Sequence, residues 1–151
     1  MATSSESERM AAYDIQVELV TRVGVQELDS GTGSLREALT SLKSLLDFTR
    51  ATLRAYGTSV TRAAAGQPTV PGLCDALVND VIGPFTTAWH PRLTAHEACR
   101  PGGTAPLDHE ASWPEAAAMR TELTALREPL LHIEEQLSAI SGADFGAPAT
   151  G

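Results

Sequence analysis

The stretch TTAWHPRLTAHE, residues 86–97, gathers Trp89, His90, Arg92, His96 and Glu97 and holds two of the chain's four histidines. Imidazole and carboxylate groups are the side chains of acid–base work and metal binding, and a guanidinium pairs with carboxylates through a planar fork. Cys99, Asp108, His109 and Glu110 follow closely and extend the set. Zinc and iron take ligands of these types. A metal site in this region would draw on His90, His96, Glu97, His109 and Glu110.

The spacing speaks against such a site. Carboxylate-bridged metal bundles need Glu-x-x-His on paired helices. None occurs here, and Glu128 and His132 are four residues apart. There is no His-x-x-x-His and no Cys-x-x-Cys. At about 100° per residue, His90 and His96 point about 120° apart on an unbroken helix. Only a break at Pro91 would bring them together, since the residue before a proline avoids the α region. The expectation is therefore no metal and no cofactor: His96 is a half-buried boundary residue, His90 caps or is solvated, and the others are solvated loop and helix-end polar groups. Trp89 is expected to be a core anchor whose N–H finds a partner, and Arg92 a structural residue paired to a carboxylate across the bundle or capping a helix end.

Nucleophilic chemistry has no better support, and no catalytic residue is expected. GTGS (31–34) lacks the Gly-Lys-Ser/Thr of a phosphate loop, and no Gly-x-Ser-x-Gly elbow occurs. Cys74 sits near a predicted helix start, where the dipole favours a thiolate. A small residue filling the space between helices is the stronger reading.

The elements that would carry these residues follow from apolar periodicity. SLREALTSLKSLLDFTRATLRAYG (34–57) opens with a Ser34-x-x-Glu37 capping box. Leu35, Leu39, Leu42, Leu46, Thr49, Leu53 and Tyr56 then fall at spacings of four and three, the seam of a long packed helix ended by Gly57. A second helix starts near Pro71, with Leu73, Leu77, Val81, Phe85, Trp89 and Leu93 four apart. Pro84 should kink it, and Pro91 should break or bend it. The third begins near a Ser112-x-x-Glu115 box, or earlier at Asp108. It carries Leu123, Leu126, Leu130, Ile133, Leu137 and Ile140, bends at Pro129 and stops at Gly142.

Residues 15–25 read differently. Six of these eleven residues are β-branched, and Ile15, Val17 and Leu19 alternate with Gln16 and Glu18. That pattern favours a strand over a helix built on Ile15, Leu19 and Val23. The expected fold is mainly α: three long antiparallel helices in an up-down-up bundle, preceded by one N-terminal β-strand. Residues 1–10 are expected to be disordered, 11–142 to form one domain, and 143–151 to be a flexible tail.

With 11 basic and 19 acidic residues, the net charge is −8. An acidic chain without a Lys/Arg cluster repels nucleic acid and anionic lipid, so neither is an expected partner. No apolar run approaches the length of a membrane span, and MATSSESERM has no secretory character. Two cysteines without a pairing motif fit a reduced, cytoplasmic setting. Arg outnumbers Lys ten to one, the bias of a GC-rich coding sequence.

The words VELVTRV, LREALTSLKSLLDFTRATLRAYG and GPFTTAWHPRL resemble a family of small, largely uncharacterised actinobacterial helical proteins, over about residues 15–97. The resemblance implies an accessory role in multi-gene conflict (defence-type) systems and carries no catalytic residue. The function expected from residues and resemblance together is a non-enzymatic protein–protein interaction or adaptor module. Its partner would be another protein or a second copy of itself. The contact would run through residues 15–25, with Ile15, Val17, Leu19 and Arg22. The alternative is a small metal-dependent enzyme or sensor built on His90–Glu110.

Overall fold

The computed structural model describes residues 6–21, 34–56 and 68–145. Within them the chain is mainly α-helical, with no strand. The elements are α1 (Glu6–Thr21), α2 (Leu35–Tyr56), α3 (Val70–Asp75), a π-helical segment (Ala76–Ile82), α4 (Gly83–Ala98), α5 (Pro106–Ala111), α6 (Ala116–Ala125) and α7 (Arg127–Ser141). Four helical stretches share the core: α1, α2, the run from α3 to α4, and the pair α6 and α7. Arg36, in the first turn of α2, meets His90, Thr94 and Glu97 of α4, so the start of α2 lies against the second half of α4.

The N-terminal strand is corrected to a helix. Glu8, Ala11, Ala12, Ile15, Gln16 and Leu19 are buried in α1, at helical and not alternating spacing. Ala11 and Ala12 belong to the core side of α1, which packs on α7 and α2, and they lie N-terminal to the window in which the β-branched residues dominate. Gln16, a polar residue alternating with the apolar ones of the expected strand, is fully buried. Its amide nitrogen donates to Glu134 Oε1 (3.0 Å) and to the Ala143 carbonyl (3.1 Å), and its oxygen accepts from Ser141. The helix starts at Glu6, inside the stretch read as disordered, and Ala143 of the presumed tail is tied to α1. Arg22, Val23 and Val25 lie outside the described residues, as does Gly57.

The seam of α2 is present as read: Leu35, Leu39, Leu42, Leu46 and Thr49 are buried, and Leu53 and Tyr56 are half-buried. Ala38, Leu45 and Thr52 are buried beside it. Half of the expected capping box forms, the Glu37 N–H donating to Ser34 Oγ (3.2 Å).

Between Leu73 and Trp89 the helical run widens by one residue. The Gly83 N–H donates to the Val78 carbonyl, five residues back. Pro84 has no N–H, and its ring would meet the carbonyl four residues earlier in a regular helix. A π turn moves that carbonyl aside. The seam therefore steps from Leu77 to Ile82, and Val81, expected in it, is only half-buried. Pro91 does not break α4, which runs through it to Ala98.

The third expected helix is three. Ser112 does not cap: its hydroxyl donates to the His109 carbonyl (2.7 Å), and α6 starts at Ala116 without a side-chain cap. Pro114 separates α5 from α6, because Trp113 before it avoids the helical region. The bend expected near Pro129 falls at Leu126, where α6 ends and α7 begins. Gly142 closes α7 with φ 77°, the left-handed conformation that suits glycine.

Candidate functional site

The chemistry-bearing residues converge at the end of the bundle where α2 begins and α4 ends. Arg36 is the hinge of the outer layer. Its Nε donates to Glu97 Oε2 (3.0 Å), and Nη2 donates to Glu97 Oε1 and to Thr94 Oγ1 (3.1 Å). Its Nη1 lies 3.3 Å from His90 Nδ1, which must accept because a guanidinium only donates. His90, Thr94 and Glu97 share one face of α4, and Arg36 holds all three through a forked guanidinium.

His96 lies on another side of α4 and pairs with His109 of α5. The two rings stack with centroids 3.8 Å apart and planes 5° from parallel. His96 Nε2 donates to the His109 carbonyl (2.7 Å), and His109 Nε2 donates to the His96 carbonyl (2.6 Å). A carbonyl can only accept, so the proton of each ring sits on Nε2. Trp113 stacks on His96 at 5.5 Å and meets Trp89 edge-on at 6.0 Å. Trp89 is buried as expected, and its N–H donates to Glu122. Arg92 lies 5.0 Å above the Trp89 ring and 3.6 Å from Glu115. It is exposed, and a carboxylate partner of that exposure contributes little.

Glu110 is buried at the start of α2. It accepts from the Leu35 N–H (2.8 Å), the Arg36 N–H (3.4 Å) and the Ser34 hydroxyl (3.4 Å), and Arg120 reaches it at 3.4 Å. The first turn of a helix offers unpaired N–H groups and a partial positive charge, so a carboxylate there is favoured. α2 is thus capped from α5, which lies far along the chain.

An open-sided cleft of about 550 Å³ lies over this region, lined among others by Arg36, His96, Glu97, Arg100, Leu107 and Glu110. Among the described residues, no three His, Cys, Asp or Glu side chains come together as a metal cage. The residues of the metal alternative also make structural contacts. Both Nε2 atoms of His96 and His109 point at carbonyls, Glu97 faces Arg36, and Glu110 caps α2. Among the described residues, no buried side-chain nitrogen or oxygen lacks a partner. Cys74 is buried, and burial pushes its thiol up to about 12, so the packing reading holds over the reactive one. Cys99 is exposed.

The contact residues expected on a strand are dispersed by the helix. Ile15 and Leu19 are buried in the core, and Val17 is half-buried on a different side. Trp113, Glu122, Arg36 and the capping role of Glu110 escape the sequence reading. Trp113 was the most legible of these, as a large aromatic beside a proline in an otherwise small-residue stretch.

Compared with family models, curated proteins and solved structures, the chain shows no match. No helix among the described residues is long and apolar enough to cross a membrane.

Proposed function

We propose that this chain is a non-enzymatic helical protein–protein interaction module. The observation that carries the reading is an apolar surface on α1. Met10 and Tyr13 are 51% and 46% exposed, and Phe145, 42% exposed, stacks on Tyr13 with ring centroids 5.8 Å apart. Aromatic and methionine side chains are enriched at protein contacts, where a large rigid area is gained at little entropic cost. The polar end of the bundle supports the same reading from the other side. Its histidines and Glu110 are occupied in joining α2, α4 and α5. The resemblance of residues 15–97 supports placing the module as an accessory of a bacterial conflict system.

The test is affinity capture with the wild type and two variants, followed by reconstitution with the purified partner. Tyr13→Glu should abolish the complex, and Arg36→Ala in the polar cluster should leave it intact. Retention of the complex by Tyr13→Glu, or loss of it with Arg36→Ala at unchanged stability, would overturn the reading.

A further inference from the structure

α1 is apolar on two sides. The buried side is formed by Ala11, Ala12, Ile15 and Leu19. On the opposite side, Met10, Tyr13, Val17 and Val20 follow one another at spacings of three, four and three. Met10 and Tyr13 are exposed, and Val17 and Val20 are half-buried. A three–four–three spacing is the seam of a paired helix, in which the chain turns one stripe toward a partner. Phe145 widens the stripe beside Tyr13. Glu6, one turn earlier in the same phase, sits at the solvated helix end.

The charges beside the stripe say what fits it. Arg9 immediately precedes Met10 on one flank, and Asp14 immediately follows Tyr13 on the other. In a parallel helix pair, a residue on the leading flank faces the residue five positions later in its partner. Arg9 and Asp14 are five apart. Two-fold symmetry repeats the contact, so one surface is complementary to itself. An antiparallel pair sets like flanks together and does not bring Arg9 to Asp14. We infer that the outer stripe of α1 is a self-association surface. A second copy of this chain packs along it in parallel, with Met10, Tyr13, Val17 and Val20 in the seam and Arg9 paired to Asp14 of the other copy. The inference rests on the interaction reading above and names its partner.

The experiment is sedimentation equilibrium on the full chain over a concentration series, with helical content followed by circular dichroism. Wild type should move from the monomer mass toward twice that mass. Tyr13→Glu should stay monomeric with its helical content kept. Reversing one flank, by Arg9→Asp or Asp14→Arg, should weaken the dimer about tenfold, because each change acts twice. Combining both reversals should restore it. The Tyr56 hydroxyl donates to Asp14 (3.2 Å), so thermal unfolding of Asp14→Arg serves as the folding control. A monomer mass at every concentration overturns self-association, as does a double reversal that stays as weak as the singles. If wild type is monomeric but Tyr13→Glu still loses a purified partner, only the identity of the occupant is wrong. If Tyr13→Glu changes neither, the interaction reading falls with it.

Discussion

Glu110 shows how a carboxylate with metal-binding potential becomes a structural group. It sits in a short helix, yet its oxygens meet the unpaired N–H groups at the start of α2. Removing it takes that partner from those donors and one carboxylate contact from Arg120. Glu110→Ala should destabilise by about 1–2 kcal/mol, the size of a lost cap. Glu110→Gln keeps an acceptor and should cost less than half of that. Urea unfolding of both variants checks this. An Ala variant as stable as the wild type would mean that water replaces the cap. His96 and His109 follow the same logic, since each ring reads the other residue's backbone and neither presents Nε2 to a substrate.

At the scale of elements, the run from α3 to α4 depends on one glycine. A Cβ on Gly83 would lie 2.2 Å from the Val78 carbonyl oxygen, a backbone atom that cannot swing away. Gly→Ala inside a helix ordinarily stabilises by about 1 kcal/mol. Here the sign should reverse, with Gly83→Ala destabilising by about 1–3 kcal/mol as overpacking does. Thermal unfolding decides it, and a raised midpoint would show that the π turn closes readily. The sequence made Pro84 visible as a disturbance but not the form it takes, because a widened turn leaves no mark beyond a seam that steps by five from Leu77 to Ile82. The seams of α2 and α7 were legible because a single leucine stripe faces a single core. α1 was not legible, since its two opposed stripes interleave: Val17 from one falls between Ile15 and Leu19 from the other, which imitates strand alternation. The polar cluster was legible in its residue types and not in its partners, because the contacts from Glu110 to Leu35 and from Trp89 to Glu122 join distant parts of the chain.

For the whole molecule, two buried or half-buried groups predict how stability responds to alkali. Burial raises Cys74 from 9.0 to about 12. Burial first, and then the charge and hydrogen bond of Asp14, raise Tyr56 above 10.0. In the unfolded chain these groups ionise at their ordinary values, while the folded chain keeps its protons. Their contribution is therefore fully present below pH 9 and is lost as the pH rises toward 12. The slope from Cys74 alone is about 1.4 kcal/mol per pH unit in that window. Denaturant midpoints measured from neutral to alkaline pH should fall, and Cys74→Ala should flatten the fall. An equal slope in that variant would assign the loss to other groups. The reciprocal histidine pair has a further consequence at this scale. It joins residue 96 to residue 109 and so clasps the chain on both sides of the turn at Pro101–Thr104. Closing a longer loop costs only about 0.6 kcal/mol for each doubling of length. The clasp thus separates what the loop contains from what the bundle needs, and residues 100–105 form a port where sequence can be inserted or exchanged without moving the helices on either side.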